Sequence, residues 1–249
     1  MTESDPIVQK IMSNLVEVHA RTPYKTNGAC RSYLKCMGLV INAKEGFVVT
    51  AQSFMPSAMC ILNIVFADSI ELPATKVYDH ALGFTVIRYD TSLVEGSIGG
   101  VCFSRKVPKV QDKMTIYGPD IDGPDPWPME ITVTSIGPLR GDYDCEHFYH
   151  PINVDVLYFE KDNFGGAGVL LDKDGDLQGL LLPFHLDGLK WVGVQLSLLL
   201  PEFEKLQMGI LPPECRMLDV ELEAVHKNDV QSFGVPEGMG LPQGVESFH

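Results

Sequence analysis

Short apolar runs separated by Gly, Pro, Asp and Asn recur along this chain of 249 residues, and none has the length of a buried helix. The first group comprises Leu15–His19, Cys36–Asn42, Phe47–Ala51, Cys60–Phe66, Ile70–Val77 and Phe84–Tyr89. The second group comprises Lys113–Tyr117, Met129–Ile136, Ile152–Leu157, Val169–Leu171, Leu177–Leu182 and Trp191–Leu196. Strands at this even spacing are typical of barrels and sandwiches. The sequence therefore predicts an all-β protein with six strands in each half.

The segments between and around these runs define the domain boundaries. We expect an N-terminal segment at 1–14, a first β-unit at 15–106, a second at 107–209, and a further segment at 210–249. Residues 5–14 predict a short helix with Pro6 at its first position, and Pro201–Met208 predicts a closing helix that begins at Pro201. Gly118–Pro128 holds four prolines and two glycines, which predicts a loop.

Composition excludes several functional classes. The formal net charge of −14 disfavours nonspecific binding to nucleic acid, because phosphates would be repelled. The N-terminus lacks the basic and apolar regions of a secretory signal, and no apolar run approaches the length of a membrane span. The six cysteines form no C-x-x-C pair and predict reduced core residues. We therefore expect no cofactor, no metal, no nucleic-acid partner and no membrane partner.

Residues Asp162–Val169 read D-N-F-G-G-A-G-V and precede a hairpin with a D-G turn at Asp174–Gly175. This stretch resembles the G-N-S-G-G-P nucleophile loop of chymotrypsin-like serine proteases. In such a loop the glycines turn backbone N–H groups toward a substrate carbonyl that the serine attacks. This chain keeps the glycines and the asparagine, but it has no serine in the loop.

Three further stretches extend the resemblance to the HtrA/Deg proteases. Cys36–Phe54 resembles the HtrA hairpin G-S-G-x-V-I-x-x-x-G-x-I-V-T-N-x-H-V, and Tyr78–Asp90 resembles the stretch that holds the catalytic Asp. Trp191–Ser197 stands where HtrA proteins have I-G-F-A-I-P. The chain looks most similar to the second, degenerate protease unit of fungal and plant HtrA-type proteins with tandem protease units and PDZ domains. This resemblance implies two six-stranded trypsin-like β-barrels over residues 15–208.

The resemblance also locates the positions of the catalytic triad, and each has lost its side-chain chemistry. Ser53 stands where the base His is expected, and Gly83 stands where the Asp is expected. The nucleophile position falls on Gly166 if the alignment is anchored on the D-G turn, or on Phe164 if it is anchored on Asn163. The former nucleophile and oxyanion loop is the candidate binding site, comprising Asn163, Phe164, Gly165, Gly166, Ala167 and Gly168.

Other constellations offer alternatives. A relocated pair could combine His19, His80, His147, His150 or His185 with Ser53, Cys60 or Cys145. The acidic run Asp172–Asp176 suggests calcium, but a D-G hairpin turn explains it more simply, since an EF-hand loop needs its Gly at the sixth position. Gly141–His147 with His150 could chelate zinc, although an acidic surface loop is the simpler interpretation. Trp127 could meet a partner or pack over a barrel mouth.

The last segment resembles the start of the PDZ-like domain that follows the protease unit in this family. Cys215–Val225 and Ser232–Pro236 carry the match, and too few residues follow to complete such a domain. Taken together, the sequence predicts a catalytically inactive HtrA-type homologue that binds peptides or proteins or regulates another protease unit. Its expected partners are peptide or protein ligands, further copies of itself, or an active HtrA-type unit, in the nucleus or cytoplasm. The alternative is an active endopeptidase that uses a relocated nucleophile or assembles with an active unit.

Overall fold

Two closed antiparallel β-barrels of six strands each make up the computed structural model of this protein. The structure describes residues 11–22, 33–55, 60–66, 70–94, 98, 100–119, 126–139, 154–160, 167–185 and 189–212. This architecture confirms the prediction of an all-β protein with two six-stranded β-barrels. Among the described residues, no helix has the length and apolar character needed to span a membrane.

The first barrel closes in the strand order β1-β2-β3-β6-β5-β4. Its strands are β1 Leu15–Arg21, β2 Tyr33–Asn42, β3 Phe47–Ala51, β4 Ile61–Phe66, β5 Ile70–His80 and β6 Phe84–Tyr89. All five residues of β3 are buried. One face of β3 packs inside the first barrel and the other faces the second barrel, so its sequence is a continuous apolar run rather than an alternating one.

The second barrel closes in the strand order β10-β11-β12-β9-β8-β7. Its strands are β7 Lys113–Pro119, β8 Pro126–Pro138, β9 Asp155–Phe159, β10 Gly168–Leu171, β11 Leu177–His185 and β12 Leu189–Gln195. The predicted loop at Gly118–Pro128 is wrong at both ends, because β7 and β8 extend into it and pair Gly118 with Trp127. Proline is tolerated at strand ends, where its missing N–H interrupts few ladder bonds.

The α-helix α1 (Leu196–Gln207) follows β12 directly. The prediction placed its start at Pro201, but the helix begins five residues earlier and holds Pro201 in its interior. The apolar spacing of Leu196, Leu199, Phe203 and Leu206 explains this start, because these four side chains form one buried stripe. Phe203 reaches the first barrel, where its ring lies 5.5 Å from that of Phe84 in an edge-on arrangement.

The segment that joins the barrels is bonded to the start of β11. Leu177 donates its N–H to the carbonyl of Cys102 and accepts from the N–H of Ser104. Phe103 and Leu177 form an isolated parallel bridge between these two bonds. The link is therefore held as an extended segment against the second barrel. The predicted helix at 5–14 lies largely outside the described residues, and the PDZ-like segment at 215–236 lies wholly outside them.

Candidate functional site

Ser53, at the expected base position, lies on a 3-10 turn (Gln52–Phe54) that directly follows β3. Its side chain is exposed, and the structure shows no hydrogen bond from it to any described side chain. A serine hydroxyl can donate or accept a hydrogen bond, but it cannot take up a proton at neutral pH as an imidazole does. The turn is thus present in the expected place without the base.

Gly83, at the expected Asp position, lies beside this turn. The N–H of Gln52 donates to the carbonyl of Gly83 at 2.8 Å, and the N–H of Gly83 donates to the carbonyl of His80 at 3.0 Å. Gly83 closes the β5–β6 hairpin with a φ of 85°, a conformation that favours glycine over residues with a side chain. The structure therefore brings together the two positions that the resemblance assigns to the base and the Asp, and neither Ser53 nor Gly83 can supply an acid or a base.

The nucleophile loop enters the second barrel at Ala167 and Gly168, which are both buried. Asn163, Phe164, Gly165 and Gly166 lie outside the described residues, so the choice between the two nucleophile positions stays open. A β-carbon on Gly168 would stand 2.4 Å from the carbonyl oxygen of Tyr117, so only glycine fits there. The base of the loop is accordingly pressed against β7.

A narrow gap with room for about one water molecule lies between the two barrels at this point. One wall is formed by β2 and β3 and includes Ala51, two residues before Ser53. The other wall is formed by β10 and β11 and includes Ala167, the residue after Gly166. This gap, which we call the interbarrel slot, has a largely apolar lining.

His80 is the described histidine nearest in sequence to the degenerate triad, and its environment is that of a core residue. Its ring is stacked on Phe84 with centroids 4.4 Å apart, and 4% of the residue is exposed. Nδ1 accepts a hydrogen bond from the N–H of Leu82 at 3.1 Å. Burial lowers the pKa of His80 against the opposing influence of Glu202 on α1. A neutral imidazole committed to these contacts is poorly placed to serve Ser53 as a base.

The described thiols that could have replaced the serine are not activated. Burial raises the pKa of Cys36 to about 12, although its bond to Thr50 opposes the rise. Thr50 donates its hydroxyl proton to the carbonyl of Met37 at 2.8 Å, so Cys36 is the donor in the 3.1 Å contact between them. Burial also raises the pKa of Cys60, and Lys76 lowers it only in part. The remaining candidate, Cys145, lies outside the described residues.

In the acidic turn at Asp172–Asp176, both carboxylate oxygens of Asp172 accept hydrogen bonds from the protein. Asp172 Oδ1 accepts from the N–H groups of Asp174 and Asp176 at 2.9 and 3.1 Å. Oδ2 accepts from the hydroxyl of Ser104 at 2.9 Å and from the amine of Lys106 at 3.2 Å. This turn therefore binds the interbarrel link, and the described part of the chain holds no cluster of potential metal ligands. The proposed zinc run, Gly141–His150, lies outside the described residues.

Asp79 is a carboxylate near the triad that the sequence reasoning passed over. It lies four residues before Gly83, and its oxygens accept from Thr85 at 2.6 Å and from Lys76 at 2.8 Å. Both partners hold it on the β5–β6 hairpin, so it does not replace the missing Asp. The sequence signal was available, since Asp79 is the only carboxylate in the matched stretch before Asp90.

Comparison with known proteins identifies fungal relatives of this chain. No protein-family model matches the chain. The pro-apoptotic serine proteases nma111 of Neosartorya fischeri and Aspergillus oryzae are each 30% identical to it over 94% of its length. The corresponding protein of Yarrowia lipolytica is 27% identical over the same share. The chain spans about a quarter of the length of these relatives.

Solved structures agree on the fold. The active form of the Rv3671c protease from M. tuberculosis superposes with a TM-score of 0.62 and 16% sequence identity, covering 84% of this chain and 87% of that one. The inactive form superposes with a TM-score of 0.57 and 17% identity, covering 80% of this chain and 92% of that one. Sequence and fold thus agree, and the chain is a homologue of the trypsin-like serine proteases of the HtrA type.

Proposed function

We propose that this chain is a catalytically inactive trypsin-like protease homologue that acts as a peptide- or protein-binding or regulatory module. The observation that carries the proposal is the pairing of Gln52 with Gly83, which holds the turn of Ser53 beside the Asp position. The scaffold of the triad is retained where its chemistry is missing. A retained backbone arrangement without catalytic side chains favours a role in binding over no role at this site.

Acyl transfer by this fold needs a nucleophile, a base in contact with it, and a group that orients the base. Loss of a single member removes most of the rate in proteases of this kind, and what remains comes from binding and the oxyanion hole. Here the base and the orienting group are both absent, and neither of the two possible nucleophile positions carries a hydroxyl or thiol. We therefore assign the chain no covalent step.

The proposed ligand site is the former nucleophile loop, Asn163–Gly168. Gly168 keeps the close approach to Tyr117 that holds the base of the loop in place. Because the interbarrel slot has room for about one water molecule, a bound peptide would lie along the loop and not inside the slot. The partners we propose are peptides, partner chains, a further copy of the chain, or an active HtrA-type unit, in the nucleus or cytoplasm.

A casein turnover assay tests whether the chain cleaves peptides, with an active HtrA-type protease run alongside as the positive control. We expect no turnover above buffer for the wild-type chain and none for the Ser53→Ala variant. Turnover by the wild-type chain that the Ser53→Ala or Cys60→Ala substitution abolishes would establish a relocated nucleophile and contradict the proposal.

A peptide array separates a binding module from a purely structural subunit. We expect a subset of peptides to bind, and we expect a Phe164→Ala substitution in the former nucleophile loop to weaken that binding. Signals at background level for every peptide would favour the structural role instead.

A further inference from the structure

A row of exposed side chains crosses three neighbouring strands on the outer face of the first barrel, at the end of β1. Arg21 pairs in register with Tyr33 on β2 and with Ile61 on β4. Tyr33 is 43% exposed and Ile61 is 62% exposed, and Arg21 between them is also exposed. We refer to these three residues as the Arg21 row. It combines one cation with an aromatic and an aliphatic neighbour.

Arg21 is held in place, but its charge is not neutralised. Its guanidinium lies 5.6 Å from the centre of the Tyr33 ring, and the His19 ring meets the same tyrosine edge-on at 5.6 Å. Within the described residues, no carboxylate lies within ion-pair distance of Arg21. A guanidinium at this distance makes a weak cation–π contact with the ring and keeps its N–H groups available to a planar acceptor.

The nearest carboxylates on this face are already bonded to other groups. Glu17 accepts from Lys35 at 2.6 Å and contacts His19 at 3.1 Å. Glu71 accepts from the amide of Asn63 at 2.5 Å. Glu17 on β1 and Glu71 on β5 lie in one row, because both pair in register with Val65 on β4. Along β1, this row is four residues from Arg21, or about 13 Å. The Arg21 row is thus locally positive.

The sequence around the row supports this local charge. Residues 18–44 contain five Lys or Arg residues and no Asp or Glu, in a chain whose formal net charge is −14. A basic stretch of this length stands out in such a protein. Among the described residues, the exposed guanidinium of Arg21 is the group that makes the row suited to an anionic partner.

We propose that the Arg21 row binds an acidic peptide segment, in which an Asp or Glu side chain pairs with Arg21 and flanking apolar side chains contact Tyr33 and Ile61. The row spans three strands, or about 10 Å, which suits one short peptide. A long polyanion would extend over the acidic remainder of the surface, where the net charge repels it. A short peptide with a carboxylate between apolar residues would contact the Arg21 row without reaching the acidic surface around it.

This surface is separate from the interbarrel slot. The slot begins on β2 at Met37, four residues beyond Tyr33 or about 13 Å along the strand. The Arg21 row therefore does not depend on the proposed function of the former cleft. A substitution that abolishes binding at the Arg21 row should therefore leave binding at the former nucleophile loop unchanged.

Fluorescence anisotropy with the complete chain tests the proposal. The probe is a fluorescein-labelled peptide of sequence Leu-Glu-Leu-Glu-Phe, compared with its Leu-Lys-Leu-Lys-Phe counterpart. We expect saturable binding of the acidic peptide that weakens as salt is raised, and none of the basic peptide. Arg21→Ala should raise Kd about tenfold or more, and Arg21→Lys should do so less, since lysine keeps the charge without the planar fork.

Two further variants keep the result interpretable. Ile61→Ala should raise Kd by about threefold, because it removes an apolar neighbour and no charge. Arg105→Ala removes a guanidinium that is 82% exposed and lies on the interbarrel link, so its Kd should match that of the wild-type chain. Circular dichroism establishes that each variant is folded. Absence of saturable binding, equal loss in Arg105→Ala, or tighter binding of duplex DNA or phosphatidylserine vesicles would overturn the proposal.

Discussion

Asn42 at the end of β2 donates its side-chain amide to the carbonyl of Leu206 at 3.0 Å, in the last turn of α1. A second bond reaches the carbonyl of Gln207 at 2.9 Å. The last carbonyls of a helix have no partner inside the helix, so a donor from elsewhere stabilises that end. A residue of the first barrel thus caps the helix that leaves the second barrel, and this contact fastens the two together.

Replacement of Asn42 by Ala should therefore cost more than the loss of a surface amide. We expect the free energy of unfolding to fall by about 1–3 kcal/mol, since the two bonds to α1 disappear together with the bond that Asn42 Oδ1 accepts from the N–H of Glu45. Urea denaturation measures the change. The matched control is Asn63→Ala, which removes an exposed bond to Glu71 and should change stability by less than about 0.5 kcal/mol. Equal losses in the two variants would contradict the capping role.

His80 should make the protein less stable in mild acid. Its pKa is lowered in the folded state, chiefly by burial, so the unfolded chain binds a proton more readily than the folded one. The stability that comes from a neutral His80 is complete above pH 6.5, the ordinary value for histidine, and is lost as pH falls through that value toward the folded pKa. Glu202 on α1 opposes the effect without cancelling it.

Thermal unfolding between pH 8 and pH 5 measures this dependence. In a His80→Leu variant, thermal stability should depend less on pH between these values, because the contribution of His80 is gone. The pKa of Asp172 is also lowered: burial raises it, but the hydrogen bond from Ser104 and other bonds outweigh burial. Its contribution to stability is lost only as the pH falls through about 3.8, below the range measured here. A His80→Leu variant that keeps the full slope above pH 5 would refute the assignment.

Gly168 should tolerate no side chain. Its β-carbon would stand 2.4 Å from a backbone oxygen of Tyr117, so Gly168→Ala has to displace β7 or β10. We expect a loss of about 2 kcal/mol or more in the free energy of unfolding. Gly137→Ala in β8 is the matched control, because nothing lies within 4 Å of its β-carbon. That variant should be neutral or slightly stabilised, and comparable losses in both would contradict the packing account.

Cys36 should resist alkylation until the chain unfolds. Its pKa of about 12 leaves roughly one thiol in ten thousand ionised at pH 8, and the residue is 1% exposed. Cys102 is exposed and should react first with iodoacetamide. Mass spectrometry of the digested protein identifies the modified residue. Modification of Cys36 at the rate of Cys102 in the folded protein would contradict this expectation.

Local patterns in the sequence predict the barrels well and the contacts between distant segments poorly. The hairpin of β2 and β3 was predicted as Cys36–Asn42 and Phe47–Ala51, and the second of these ranges is the observed one, because apolar runs and a turn at Gly46 define it locally. The loop predicted at Gly118–Pro128 was wrong at both ends, because its four prolines and two glycines suggested a break where β7 and β8 pair with each other. The residues of one segment do not show which distant strand will pair with it.

The same distinction holds for the candidate site. Ser53 and Gly83 could be placed by their position within matched stretches, and the structure brings their backbones together. The burial of His80 could not be foreseen, because it depends on packing against Phe84 and on a helix more than a hundred residues away. The parallel bridge between Phe103 and Leu177 is of the same kind. Such contacts follow from the closed fold rather than from any local pattern.

The absence of a covalent catalytic step is the central claim, and the intact mass of the protein after exposure to a fluorophosphonate probe tests it most directly. An active HtrA-type protease treated in parallel provides the labelled reference. The account predicts an unchanged mass for this chain under conditions that label the reference completely. A single adduct on the chain, abolished by one point substitution such as Ser53→Ala, would contradict it.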